Sequence, residues 1–302
     1  MYSVEDSFFA SSRFFKIKTG KRGKSAKPSK LVEAVRINDN DGVFAAFVPD
    51  GGFGGSGDND FNAEKLAAII NSDLTVNLDG EGIAALGNGI FYIASEGRGT
   101  IDEADRPIES LNLIMKVDEE GTIKDVLSLP AEWNAKQVRY GFEGVAYDPD
   151  KNILVAVTQR AWGDDDHPAV HIFDVASGNY VGYAYYPLDA VSSQNGGWVG
   201  LSDITYVGDG IFYVLERDNQ GDIDASIKKI YSIDINDATT DGHVFDKVLV
   251  KDILTITDAI GTTPFEKYEG LAYTEDGVWI VNDNDGIDDA RGEIQLMNIG
   301  SI

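Results

Sequence analysis

The chain has no cysteine in 302 residues. That removes disulfide frameworks, thiol chemistry and the sulfur ligands of structural zinc sites. Histidine is nearly absent too: His167, His171 and His243 are the whole supply. A Ser-His-Asp device is hard to build from them, since none falls at a repeated position. No Gly-x-Ser-x-Gly elbow exists, and Ser56 and Ser202 sit in other contexts. His167 and His171 have His-x-x-x-His spacing but no third zinc ligand of the right kind nearby. No apolar run approaches the ~18 residues that a membrane span needs. The opening Met1 to Asp6 lacks the basic start and apolar middle of a signal peptide. Positive charge is scarce, with 25 Lys and Arg against 51 Asp and Glu and a net charge of −26. Binding of nucleic acid by phosphate neutralisation is therefore not expected. Cation binding or plain solubility suits such a balance. Nine of the scarce bases lie in residues 1–36, beside only three acids. The cluster from Lys16 to Lys30 reads as a solvated loop rather than a docking tail.

What is abundant is a repeated hairpin. Gly141-Phe142-Glu143-Gly144-Val145-Ala146-Tyr147 leads through an Asp-Pro-Asp turn to Ile153 to Arg160. The unit recurs from Glu81 to Glu96, from Leu201 to Arg217 and from Glu269 to Asp283, with its acids Glu81, Glu143, Asp203 and Glu269 62, 60 and 66 residues apart. A second strand pair follows: Leu111 to Val117 with Ile123 to Leu129, Ala169 to Asp174 with Tyr180 to Tyr186, and Lys228 to Ile235 with Val248 to Ile253. Period-2 patterning excludes a helical solenoid. Four strands per repeat predict an all-β β-propeller, with five repeats countable and six blades possible. The whole of 1–302 reads as one propeller domain. Small residues such as Gly144, Ala146, Gly270 and Ala272 suit the crowded innermost strand.

In an antiparallel hairpin the start of one strand lies beside the end of its partner. The spacing therefore places Glu81 near Glu96, Glu143 near Gln159, Asp203 near Glu216, and Glu269 near Asn282 and Asp283. Carboxylates at ~4–5 Å repel by roughly 3–4 kcal/mol at an effective dielectric of 20. A circle of them needs raised pKa values, cationic partners or a metal. Oxygen-only ligands favour Ca²⁺, with Mg²⁺ or Mn²⁺ behind it. The expected metal set is Glu81, Glu96, Glu143, Asp203, Glu269, Asn282 and Asp283. The expected catalytic carboxylates are Glu143, Glu216 and Glu269. The alternative is that each acid accepts backbone N–H groups and only ties blades together. Arg98, Arg160 and Arg217 stand at or near the ends of second strands. With Gln159 they are the expected binders of an anionic group such as a phosphate ester. Equally, each Arg neutralises a neighbouring acid.

Elsewhere, Phe8-Phe9 and Phe14 to Ile17 read as strand material, and Leu31 to Ile37 and Val43 to Val48 as two further strands. Asp50 to Asp60 is a Gly- and Asp-rich loop, and Asn62 caps a short helix to Ile70. Ala131 to Tyr140 and Ile256 to Phe265 read as linkers. Asn-Asp-Gly runs at 39–42 and 283–286 resemble calcium loops only loosely and suit hairpin turns.

Gly141-Phe142-Glu143-Gly144-Val145-Ala146, Tyr186-Pro187-Leu188-Asp189, Gly200-Leu201-Ser202-Asp203, Val214-Leu215-Glu216-Arg217-Asp218, Tyr268-Glu269-Gly270-Leu271-Ala272 and Val281-Asn282-Asp283-Asn284-Asp285 occur in this order. With Asp79-Gly80-Glu81-Gly82-Ile83-Ala84 they resemble the phytase-like family of bacterial β-propellers, labelled "esterase-like activity of phytase". The resemblance covers most of the chain. It implies a propeller, a periplasmic or secreted setting and a hydrolase activity. In the more distant calcium-dependent propeller phytases, carboxylate-held calcium gathers phosphate groups and activates water. Tyr2 to Asp6 looks like the second strand of the family's first blade, so the innermost strand of that blade is expected to be missing. Three functions are carried forward: a Ca²⁺-dependent hydrolase of phosphate esters, a lactonase- or carboxylesterase-type propeller enzyme, and a non-catalytic ligand-binding propeller. A monomer is expected.

Overall fold

The structure, a computed structural model, describes residues 1–5, 10–20, 27–284 and 294–302. The fold is all-β: five small sheets, the blades of a β-propeller, with few helices. Among the described residues the sheets hold three, four, five, four and three strands in chain order, where four per repeat were expected. Phe8 and Phe9 lie outside the described residues. Among the described residues no helix is long and apolar enough to cross a membrane.

The chain divides into two compact units, Met1–Arg139 and Tyr140–Ile302. The first unit holds the sheet β1(Tyr2–Val4), β2(Arg13–Lys18), β3(Lys30–Arg36), then helix α1(Ala63–Ile69). Next comes the sheet β4(Asp79–Gly87), β5(Ile90–Glu96), β6(Leu113–Asp118), β7(Ile123–Ser128), followed by α2(Ala131–Asn134) in the expected linker. Asn62 caps α1 through its side chain, which accepts the Lys65 N–H at 3.0 Å. One apolar core joins Phe14 of β2, Leu66 and Ile69 of α1, Phe91 and Ile93 of β5, and Leu113, Met115 and Val117 of β6. The expected strand at Val43 to Val48 is instead a turn. Asp39 is the reason: its carboxylate accepts the Phe44 N–H at 2.7 Å and the Ala45 N–H at 2.8 Å. A local side-chain acceptor here outcompetes a ladder partner, and Phe44 turns fully into the core.

The second unit begins with β8(Phe142–Asp148), β9(Ile153–Thr158), β10(Ala169–Asp174) and β11(Tyr180–Tyr185). Next come β12(Val199–Gly208), β13(Ile211–Asp218), β14(Lys228–Asp234), β15(His243–Val244) and β16(Val248–Asp252). Helix α3(Leu254–Ile260) follows in the second expected linker, and β17(Tyr268–Thr274), β18(Gly277–Asn282) and β19(Leu296–Gly300) complete the unit. β15 adds in parallel to β11, making the first of these sheets five-stranded. Strand β13 shows why the sheets stack. Phe212 and Val214 enter the core shared with β9 and β12, while Tyr213 and Leu215 enter the core shared with β17 and β18. Alternate residues thus serve opposite faces, and both faces are dry. Each fully buried side chain of this size contributes roughly 1.5–3 kcal/mol.

The close approach of sheets is visible at Gly144. A Cβ there would fall 2.6 Å from Asp203 Oδ1, 2.7 Å from Ile204 N and 2.8 Å from Asp203 Cα. Only a residue without a side chain lets β8 lie this near β12.

Candidate functional site

All four innermost strands, β4, β8, β12 and β17, carry a β-bulge near their start. The register skips Glu81 between Gly80 and Gly82, Glu143 between Phe142 and Gly144, Ser202 between Leu201 and Asp203, and Glu269 between Tyr268 and Gly270. A bulge adds one residue to one strand and re-aims its side chain. The sequence does not show it, and it corrects one pairing. The equivalent of the three glutamates is Ser202, not Asp203. Asp203 lies one step further on, opposite Leu215 rather than Glu216.

The register also fixes what each bulged residue meets. Asp79 lies opposite Glu96, and Gly200 opposite Arg217. The Gln159 N–H bonds the Gly141 carbonyl at 2.8 Å, and the Asp283 N–H bonds the Lys267 carbonyl at 3.0 Å. The facing positions are therefore Glu96, Gln159, Arg217 and Asp283. Glu143 Oε1 accepts a hydrogen bond from Gln159 Nε2 at 2.6 Å, and Ser202 Oγ accepts one from Arg217 Nε at 2.9 Å. One backbone frame thus carries four charge combinations.

The first unit holds the acidic version. One carboxylate oxygen from each of Asp79, Glu81 and Glu96 lies within 4.8 Å of the others, and all three residues are half-buried. It is the one such group of metal-ligating side chains among the described residues. Asp79 is the member that the sequence reading left out. Its signal was available, since Asp79 and Glu81 stand two apart on one strand and so share a face. The two-before position is Gly141, Gly200 and Lys267 in the other sheets, so no second triad arises. Three carboxylate donors, with no nitrogen or sulfur, are the ligand chemistry of a hard divalent cation. The acidic cluster can therefore bind a metal. Arg98 stands two residues past Glu96 and lies 3.7 Å from Glu109.

In the second unit the expected site acids each meet a partner. Glu269 pairs with Arg217, whose guanidinium is 2% exposed. Asp203 accepts N–H groups from Ile204 at 2.8 Å and from Leu271 at 2.6 Å. It thereby ties β12 to β17, and burial pushes its carboxyl well above the usual range. Asn282 accepts the Gln295 N–H at 2.6 Å, and Asp283 lies 3.9 Å from Lys267. Glu216 occupies the opposite face of β13 from Arg217. It is fully buried, 2.6 Å from Lys247, and accepts the Asp189 N–H at 2.7 Å. Burial raises its pKa, with Lys247 opposing. Glu216 thus belongs to a network with Asp189, Lys229, Lys247 and Tyr231, away from the bulged residues. Burial works against charge on Asp189 as well, but Lys229, Lys247 and Tyr231 hold its carboxyl well below the ordinary value.

Arg160 and Arg217 converge on one ring. Their guanidinium carbons lie 5.4 Å and 5.3 Å from the centre of Trp198, and Arg160 also lies 4.8 Å from the centre of Tyr140. These are cation–π distances.

Against this geometry, the family model described as "Phytase-like: Esterase-like activity of phytase" matches residues 1–286. No curated protein matches the chain. Among solved structures, hydrazine synthase from Kuenenia stuttgartiensis is 16% identical, with a TM-score of 0.41 over 94% of this chain and 74% of that one. Sqt1 of Saccharomyces cerevisiae is 8% identical, with a TM-score of 0.35 over 91% of this chain and 64% of its own. A protein of unknown function from Bacteroides caccae is 9% identical, with a TM-score of 0.33 over 77% of this chain and 86% of its own.

Proposed function

The chain belongs to the phytase-like family, and from that premise we propose that it is a metal-dependent hydrolase of phosphate esters, with Asp79, Glu81 and Glu96 as its metal ligands and Ca²⁺ as the ion. The observation that carries this reading is the approach of three carboxylates to within 4.8 Å of one another. At that separation and an effective dielectric of 20, each ionised pair repels by roughly 3–4 kcal/mol, which a divalent cation relieves. Oxygen donors alone favour Ca²⁺ over Mg²⁺ or Mn²⁺ when side chains rather than waters supply the shell. A bound ion of this kind polarises a phosphoryl oxygen and acidifies water.

The chain's own residues supply the rest. The bulge at Glu81 turns its carboxylate toward those of Asp79 and Glu96, so the ligands are set by backbone register. Arg98 offers a guanidinium two residues beyond Glu96 for the anionic ester. In the second unit, Glu143 is held by Gln159 and Glu269 by Arg217, and no step of the reaction is assigned to them or to Arg160. Glu216 is left out of the reacting set because Lys247 and the Asp189 N–H occupy its carboxylate. A periplasmic or secreted monomer acting on a small anionic substrate completes the reading.

The test is release of inorganic phosphate from a phosphomonoester, with calcium and with excess chelator. Calcium-dependent turnover that falls at least tenfold in D79N/E81Q, together with loss of bound metal, is expected. Full turnover in chelator overturns the metal. Opening of lactones or carboxylesters without phosphate release makes it a lactonase- or esterase-type enzyme. No turnover in any ester class makes it a binding propeller.

A further inference from the structure

The first sheet carries the opposite charge from the rest of the chain. Residues 1–36 hold nine Lys or Arg against three acids, a charge of +6, while the remainder carries −32. Lys16 and Lys18 of β2 and Lys30 of β3 are exposed. Among the described residues none of the three has an ion-pair partner. Their register adds a second observation. Lys18 lies directly opposite Lys30, and like charges facing each other across a ladder repel. The chain has 26 more acidic than basic side chains, yet no carboxylate is brought to this pair. The arrangement suits an anionic group that comes from outside.

The backbone beside these lysines is open. β3 is the last strand of its sheet. Two of its apolar residues are uncovered, Leu31 at 63% and Val32 at 56% exposure. The Ile37 N–H bonds the Ser12 carbonyl at 2.9 Å. Bonded residues alternate along an antiparallel ladder, so Val35 and Glu33 face β2. Ala34 therefore directs its N–H and C=O away from β2. The register skips Val32 between Leu31 and Glu33, which leaves the ladder regular from Glu33 to Arg36. An outer edge of this kind does accept a further strand, since β15 adds in parallel to β11. Lysines at an edge repel another cationic edge. That disfavours β3 of a second copy and leaves an acidic strand as the complementary one.

We propose that β3 is a docking edge for an acidic, extended peptide segment of a partner protein, which adds as a strand beside Ala34 and neutralises Lys16, Lys18 and Lys30. Main-chain bonds at a sheet edge supply affinity, and side chains select the partner. The lysines select charge, and Leu31 and Val32 offer apolar contact to alternate residues of the added strand. The proposal does not depend on the metal-dependent hydrolase.

The experiment uses the full chain and a fluorescein-labelled nonapeptide of alternating glutamate and valine, read by anisotropy. The lysine–valine counterpart is the second arm. Expected is saturable binding of the acidic peptide, at least tenfold weaker at high salt than at low salt, and no binding of the basic one. K18Q/K30Q should bind at least tenfold more weakly without melting lower than the parent, because a repulsion has been removed. A34P removes an outward N–H and no bond to β2. It too should bind at least tenfold more weakly, with an unchanged melting temperature. Should A34P melt lower, K18Q/K30Q alone decides. Absence of acidic-peptide binding overturns the edge, as does equal binding by K18Q/K30Q or by the basic peptide. Vesicles of phosphatidylglycerol that bind the parent and A34P alike, with the peptide inert, overturn it in favour of a lipid surface. Self-association that A34P abolishes, with the peptide inert, overturns it in favour of a second copy.

Discussion

Replacing Lys228 by methionine tests how the second unit holds its site in place. Lys228 is fully buried, and its ammonium donates to two carbonyls and ion-pairs with one carboxylate. It reaches the Asp218 carbonyl at 2.6 Å, the Glu266 carbonyl at 2.7 Å and Asp218 Oδ1 at 2.8 Å. Burial pulls its pKa down to about 8, against the pull of Asp218, so it remains charged at pH 7. The bond to Glu266 anchors the segment entering β17, three residues before Glu269. K228M removes one partner of a buried pair and strands a carboxylate and two carbonyls. Breaking such a pair costs about 3–5 kcal/mol. At about 2–4 °C per kcal/mol for a large domain, the melting temperature should fall by roughly 6–20 °C. Urea midpoints and thermal melts read this directly. D218N/K228M should recover more than half of the loss. Asparagine keeps an acceptor for Ser226 and Ile227, which now bond Asp218 Oδ2 at 2.8 Å and 3.0 Å, and no unpaired charge remains. A single variant within 1 kcal/mol of the parent, or a double no better than the single, refutes the reasoning.

Three further outcomes follow from the same geometry. G144A should lose at least about 1–3 kcal/mol, as overpacking does, because the new Cβ meets the backbone of Asp203 and Ile204 at 2.7–2.8 Å; an unchanged urea midpoint refutes the tight approach of β8 and β12. Asp189 has a folded pKa below its unfolded value, so its contribution is present above pH ~4 and is lost as pH falls through the folded pKa; D189N should flatten that acid limb, and an identical limb in both proteins argues against it. Calcium at about 100 times its Kd should stabilise the parent by about 2.7 kcal/mol, with no shift in D79N/E81Q; equal shifts in both move the ion away from the triad.

Much of the frame was legible in the sequence, because small residues and alternating apolar positions repeat wherever sheets must stack. Gly144 could be read as a point of close approach before any coordinates, since no side chain fits there. The bulges could not. An extra residue in one strand leaves no mark in an alternating pattern, and Ser202 carries no charge to betray its equivalence to Glu143. Partner choice was hidden for a different reason. Arg217 reaches Glu269 across 52 residues, and Lys247 reaches Glu216 across 31. These contacts depend on which sheet faces which, not on local spacing. The mistaken strand at Val43 to Val48 shows the opposite failure, where a short-range bond from Asp39 overrode apolar content.

The bulge explains how one repeated hairpin can support different chemistry in each copy. Its backbone places two positions side by side in four of the sheets, whatever residues fill them. Where Glu81 and Glu96 fill the positions, Asp79 makes a third carboxylate and the set suits a divalent cation. Where Ser202 and Arg217 fill them, the same geometry yields a buried guanidinium that bonds Ser202 and Glu269. Glu143 with Gln159 is intermediate, a carboxylate held by a neutral amide. Charge at these positions can change without altering the strand register, because backbone bonds rather than side chains fix the frame. The copies are also joined to one another, since Glu269 of one sheet pairs with Arg217 of the next.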